Sequence, residues 1–257
     1  MSTRALHRVW CRVVVVAVAC AIACVGFASV GVARTQAAES RAHVAGSAPR
    51  HHRCGPWRRP RLGTTRHMLV IGASYTAGVG ASGPHHGYAW LLARQLHESP
   101  RVYGIGGTGF VNAGPRHQGT FRHRLAHLRV RPAPDLVLIQ GGRNDVGTPA
   151  RIERAAARAT ICLAQRRFTK ARVAVLGPIP ARLPVDRAVA AIDGDLRSAC
   201  RAEHALYLDP IRRKWMTPTL ERRFAGPVPR HPNDAGYRYI ASRAAPVLRA
   251  GLARART

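Results

Sequence analysis

The chain is short of acids, with 12 Asp and Glu against 41 Lys and Arg and a formal net charge of +29. Lysine is scarcer still: Lys170 and Lys214 stand against 39 arginines. Such an excess can mark a nucleic-acid binder. Here the arginines are spread along the whole chain rather than clustered, and alanine and glycine are also high, which points to codon bias. No nucleic-acid partner is expected. Aromatic residues make up only 6% of the chain, which gives little sign of a sugar-stacking platform. His123 and His127 have helical spacing, but no nearby Asp, Glu or Cys completes a metal site, so neither a metal nor a cofactor is expected. No internal repeat is visible. There is also no Gly-x-Ser-x-Gly elbow, because Thr76 stands where its last glycine would fall.

What is present begins with Arg4, Arg8 and Arg12 ahead of an apolar run from Val13 to Ala33, followed by small residues. That layout makes residues 1–38 an export signal or, since the run nearly spans a bilayer, an uncleaved membrane anchor. The protein is therefore expected to be secreted or anchored at the cell envelope. The four arginines before residue 39 leave a charge of +25 on the remainder. Wall polymers and anionic lipid headgroups are the polyanions available there. Residues 39–66, rich in Arg, His, Pro and Gly without apolar period, read as a basic disordered linker. Residues 67–257, roughly 190 positions, suffice for one α/β core, expected as a monomer. Of six cysteines, Cys54, Cys162 and Cys200 follow the export segment. In an oxidising compartment two should pair. Cys162 and Cys200, each late in an expected helix, are the chosen pair, with two buried thiols as the alternative.

Strands and helices alternate along the domain. Strands are expected at His67–Ile71, Arg101–Tyr103, Asp135–Gln140, Arg172–Leu176 and Ala205–Leu208. Helices are expected at Tyr88–Leu96, Ala150–Gln165, Asp186–Arg201 and Asp234–Ala253. Asp-Leu-Val-Leu-Ile-Gln at 135–140 is the continuous apolar run of a strand buried on both faces. Alternation of this kind gives an α/β fold, a parallel sheet covered on both sides. The segments 72–78, 104–109 and 141–145 begin at carboxyl ends of strands, the edge where open α/β sheets bind ligands.

Ser74 follows the first strand; alone it reads as well as a turn serine capping a helix. Gly107 lies in a turn where its N–H can face a ligand closely, or simply in a tight turn. Asn144 can donate an uncharged amide to an oxyanion, or form an Asx turn, with Asp145 bracing the same turn. His231 precedes the last helix, where Asp234 is the expected cap, and can lean over the sheet edge toward Ser74. Together these are the parts of an ester-cleaving site: nucleophile, oxyanion donors and base.

At these residues the chain resembles the SGNH, or GDSL-type, hydrolases, exported actinobacterial members in particular, over about residues 67–250. The family's nucleophile block falls on Gly72-Ala73-Ser74, its second-block glycine on Gly107, its Gly-x-Asn-Asp block on Gly142 to Asp145 and its last-block histidine on His231. The resemblance implies a three-layer α/β/α sandwich with a parallel flavodoxin-like sheet. It also implies ester hydrolysis, with Ser74 as nucleophile and His231 as base. The N–H groups of Ser74 and Gly107 and the Asn144 amide would form the oxyanion hole. Small acyl esters, lipid esters and O-acetylated glycans are the expected substrates. Two positions depart from the pattern. Ala73 replaces the acid beside the serine, and Val228 stands three residues before His231, where the family has Asp. A backbone carbonyl within Ala225–Arg230 could orient the imidazole instead; Glu221 is a poorer candidate. A weakened domain holding anionic envelope material, and an acyltransferase on the same site, are the alternatives.

Overall fold

The computed structural model describes residues 66–254. The export segment 1–38 and the linker, save its last residue, lie outside the described residues. Five strands run in chain order: β1 (Arg66–Gly72), β2 (Glu98–Gly104), β3 (Leu136–Gln140), β4 (Arg172–Leu176) and β5 (Leu206–Leu208). Seven α-helices accompany them: α1 (Ser74–Ala77), α2 (Tyr88–Leu96), α3 (Phe121–His127), α4 (Ala150–Arg167), α5 (Arg187–Ala202), α6 (Pro218–Phe224) and α7 (Asp234–Arg254). All pairings are parallel, in the order β2-β1-β3-β4-β5, which is the flavodoxin-like order.

Alternation of side chains along the strands assigns each residue to one of two apolar layers. Met68, Val70, Leu136, Leu138 and Leu176 face α2 and α7, meeting Tyr88, Leu92, Tyr237 and Leu248. Leu69, Ile71, Val137, Ile139 and Val175 face α3, α4 and α5, meeting Phe121, Ile161 and Leu196. The fold is the three-layer α/β/α sandwich expected from the sequence. No helix among the described residues is long and apolar enough to cross a membrane.

The long elements match expectation within a few residues. Helices α1, α3 and α6 and a 3₁₀ turn at Arg143–Asp145 were not expected. Each has at most two turns, too short for an apolar period, and tertiary contact secures it. In α3, Phe121 and Leu125 are buried and the Thr120 hydroxyl accepts the His123 N–H at 3.2 Å. The cap of α7 is also corrected. Asn233 accepts the Gly236 N–H at 2.9 Å, whereas Asp234 turns outward to Ser82, accepting its N–H at 2.8 Å and its hydroxyl at 2.5 Å.

The Cys162–Cys200 pairing is overturned. Cys200 is a free thiol, 1% exposed and packed among Ile192, Leu196 and the β4 side chains. Its burial pushes the thiol pKa up, so it behaves as a small apolar side chain. Cys162, on α4, is engaged elsewhere.

Glu153 on α4 is fully buried, and neither carboxyl oxygen has a hydrogen-bond partner. Burial first, then the charges of Asp145 and Asp195, raise its pKa from 4.5 to about 8. The folded chain thus holds a proton that the unfolded chain releases above about pH 4.5. Stability from the neutral carboxyl is complete below that pH and is lost as pH rises through about 8. Glu153→Gln should therefore melt higher than wild type at pH 9, with the gap closing toward pH 5. Melting temperatures at both pH values check this, and a gap independent of pH would contradict it.

Candidate active site

The chain leaves β1 at Gly72 and turns at once into α1, placing Ser74 over the carboxyl end of the sheet. A Cβ at Gly72 would lie 2.7 Å from the Gln140 carbonyl, so only glycine allows the strands to end this closely. β1 is flanked by β2 on one side and β3 on the other. The connection after β1 runs to β2 and the one after β3 runs to β4, in opposite directions, and the site occupies the crevice at that switch point.

His231 comes from 157 residues away, and its Nε2 lies 2.9 Å from Ser74 Oγ. Its Nδ1 lies 2.9 Å from the Pro229 carbonyl. A carbonyl can only accept, so Nδ1 carries the proton and the Nε2 lone pair faces the serine hydroxyl. The tight loop before His231 presents that carbonyl. His231 N–H donates to Val228 O at 3.1 Å and Gly226 N–H to His231 O at 2.9 Å. Arg230 takes a left-handed φ of 64°, and its carbonyl accepts the Tyr75 hydroxyl at 2.8 Å. The Tyr75 ring packs beside the imidazole, centroids 5.6 Å apart. Gly80, at φ 91°, passes so near that a Cβ would come within 2.7 Å of Pro232 O.

The other three positions share this cleft, whose volume is about 430 Å³ and whose lining includes Ser74, Gly107, Asn144 and His231. As the first residue of α1, Ser74 has no intrahelical acceptor for its N–H. Gly107 sits at φ 78°, and a Cβ there would meet Pro115 Cδ at 2.7 Å, so both backbone and space require glycine. Asn144 donates one Nδ2 hydrogen to Thr108 O at 2.8 Å, which orients the amide and leaves a second donor. Asp145 is 1% exposed and accepts the N–H groups of Phe110, Val111 and Asn112 at 2.9, 3.0 and 2.8 Å. It braces the loop after Gly107, whereas the sequence reading had it bracing its own turn beside Asn144.

The model of the GDSL-like lipase/acylhydrolase family matches residues 70–239. The chain belongs to that family. A GDSL lipase of Mycobacterium tuberculosis, Rv0518, is 32% identical over 190 residues, covering 70% of this chain and 80% of the relative. Among solved structures, a G-D-S-L family lipolytic protein from Veillonella parvula superposes with a TM-score of 0.55 at 19% identity. It covers 72% of this chain and 99% of that one. A family 2 carbohydrate esterase from Corynascus thermopiles superposes with a TM-score of 0.57 at 19% identity, covering 78% and 68%. These structures share the fold.

This GDSL-family chain is thus a serine-dependent hydrolase whose histidine is held without a carboxylate. Glu221 accepts the Leu183 N–H at 3.0 Å, so its carboxylate is committed away from Nδ1. Glu221→Gln should accordingly keep most of its turnover on an activated ester. A loss of about a hundredfold, the fold being intact, would mean that a displaced acid serves His231.

Arg124 was missed by the sequence reading. Its guanidinium donates to Gly72 O at 2.8 Å, Thr108 Oγ1 at 3.0 Å and Tyr103 O at 3.1 Å. It ties the end of β1 to β2 and to the loop that carries Gly107. Burial lowers its pKa to about 10, still charged at neutral pH. Nothing in the sequence separates it from the other arginines. His127 Nδ1 lies 2.8 Å from the His123 carbonyl, and among the described residues no group of three or more His, Cys, Asp or Glu is gathered as a metal ion would require.

Proposed function

We propose that the chain is an exported ester hydrolase working through a Ser74–His231 dyad and a three-donor oxyanion hole. Ser74 Oγ attacks the acyl carbonyl as His231 Nε2 takes its proton. The N–H groups of Ser74 and Gly107 and the free Asn144 amide hydrogen receive the oxyanion. The imidazolium then protonates the leaving alcohol, and water repeats the sequence on the acyl-enzyme. The observation that carries this reading is the 2.9 Å Ser74–His231 contact, made by an imidazole whose tautomer the Pro229 carbonyl fixes.

A carbonyl replaces the family's Asp at a cost. In a serine protease triad, neutralising the acid lowers turnover about 10⁴-fold, largely through the wrong tautomer. Here the tautomer is right, and what is lost is full-charge stabilisation of the imidazolium. Turnover below that of a complete triad follows.

Substrates are small acyl esters, lipid esters or O-acetyl groups on envelope glycans. The M. tuberculosis relative bears the name lipase, and an apolar chamber beyond His231 supports an acyl ester. That chamber measures about 280 Å³; Ile179, Met216, Phe224 and Ile240 line it, with Glu221, Arg222 and Arg230 also on its wall. Export rests on the sequence of residues 1–38. The test incubates the secreted domain with a fluorophosphonate probe and with p-nitrophenyl esters of rising chain length. Labelling confined to Ser74 with ester turnover is expected; no labelling and no turnover would overturn the proposal.

A further inference from the structure

The cleft that holds Ser74 and His231 is also lined by Arg143 and Arg230, and by no Asp or Glu among the described residues. Arginines in this domain that are withdrawn from solvent are otherwise engaged. Arg154 pairs with Asp195 at 2.6 Å, Arg158 with Glu203 at 2.7 Å and Arg197 with Asp193 at 2.8 Å. The terminal nitrogens of Arg124 donate to carbonyls and a hydroxyl, its Nε being buried without a partner, and Arg172 also has a partner. Arg143 is half-buried, yet its guanidinium makes no hydrogen bond or ion pair among the described residues. Its charge is felt within the cleft, where it pulls the Tyr75 pKa down against the larger upward effect of burial. Arg230, exposed and also without a side-chain partner, lines the same cleft.

Both backbones are held firmly. Arg143 opens the 3₁₀ turn that follows Gly142 at φ 106° and that ends in the buried Asp145. Arg230 is fixed by its own left-handed φ and by the Tyr75 hydroxyl on its carbonyl. Two cations thus stand on two different loops of the cleft that holds the reacting pair, their donors uncommitted. A guanidinium that faces a cleft without an acid keeps its fork of N–H donors for an incoming anion, which it can meet in bidentate fashion.

We infer that Arg143 and Arg230 form an anion subsite at the mouth of the active cleft, selecting esters that carry a carboxylate or phosphate close to the scissile bond. This rests on the hydrolase reading above. Neutral esters fill the catalytic positions equally well, but leave Arg143 unpaired in the bound state. An anionic ester pairs it, and charge-assisted hydrogen bonds are about twice as strong as neutral ones.

The test compares wild type, Arg143→Gln, Arg230→Gln and Arg143→Lys on two matched pairs of esters. One pair places the charge on the acyl half: p-nitrophenyl butyrate against p-nitrophenyl hemisuccinate. The other places it on the alcohol half: 1-butyrylglycerol against 1-butyrylglycerol 3-phosphate. The readout is the ratio of kcat/KM for the anionic ester over its neutral partner. In wild type this ratio should exceed that of Arg143→Gln and of Arg230→Gln by about tenfold for at least one pair. Arg143→Lys should restore part of it, and added salt should lower it in wild type. The pair that responds identifies which half of the substrate carries the charge. Retained turnover with ratios equal across all four proteins would overturn the anion subsite alone. Wild type that hydrolyses none of the esters and takes no fluorophosphonate would remove the hydrolase reading and the subsite with it.

Discussion

Ser74→Ala should lower turnover on an activated ester by at least about 10⁴-fold, to the level left by binding and the oxyanion donors. The Ser74 hydroxyl is the group that His231 Nε2 contacts, at 2.9 Å, and no neighbouring hydroxyl can replace it. The Tyr75 hydroxyl donates to the Arg230 carbonyl at 2.8 Å, and that of Thr76 is buried and bonded to Tyr88 Oη at 3.0 Å and Gln140 Oε1 at 3.1 Å. Ser74 itself is half-exposed at the start of a four-residue helix. Losing its hydroxyl should therefore change stability by less than about 1 kcal/mol. Single-turnover kinetics together with a melting curve check both halves. Unchanged turnover would remove Ser74 from the mechanism, while a large drop in melting temperature would show a structural role instead.

Asn144→Ala should lower kcat by roughly 10²–10³-fold with little change in KM. The Nδ2 bond to Thr108 O, 2.8 Å long, holds the amide in place before substrate arrives. The second hydrogen meets charge only as the tetrahedral intermediate forms. The interaction therefore belongs to the transition state, which is why it shows in kcat. The backbone around it depends on Asp145, whose three accepted N–H bonds are untouched by the substitution. A rise in KM at constant kcat would assign Asn144 to ground-state binding and remove it from the oxyanion hole.

Much of the fold is local in origin and so was legible. Leu136–Gln140 is buried along its whole length, and an unbroken apolar run between Pro- and Gly-rich turns permits little else. Tyr88–Leu96 and Arg172–Leu176 were placed to the residue; Gly87 stands just before the one and Gly177-Pro178 just after the other. Ser74, Gly107, Asn144 and His231 were picked out because each sits at a short motif beside a strand end or helix start, and the structure gathers all four around one cleft. The short helix Phe121–His127 was not found, since two turns carry no readable period and its anchors, Phe121 and Leu125, are apolar only in relation to Ile71 and Ile161.

The sequence by itself determined the strand–helix alternation, and with it a parallel sheet and a loop edge rich in glycine, serine and asparagine. These follow from hydrophobic burial and backbone sterics within windows of a dozen residues. With Val228 in place of the family's acid, it offered a backbone carbonyl within 225–230 as the orienting acceptor of His231 and Glu221 as a poorer candidate. Only the tertiary structure decided that this acceptor is the Pro229 carbonyl, that Asn233 rather than Asp234 caps the last helix, and that Cys200 is a lone buried thiol. It alone singled out Arg124, which reaches Gly72 across 52 residues, and left Arg143 unpaired at the cleft. The reason is the same in each case. A hydrogen bond or a desolvated charge is settled by whichever group the folded chain brings within about 3 Å, and in this chain those partners come from distant segments or from backbone atoms that every residue shares.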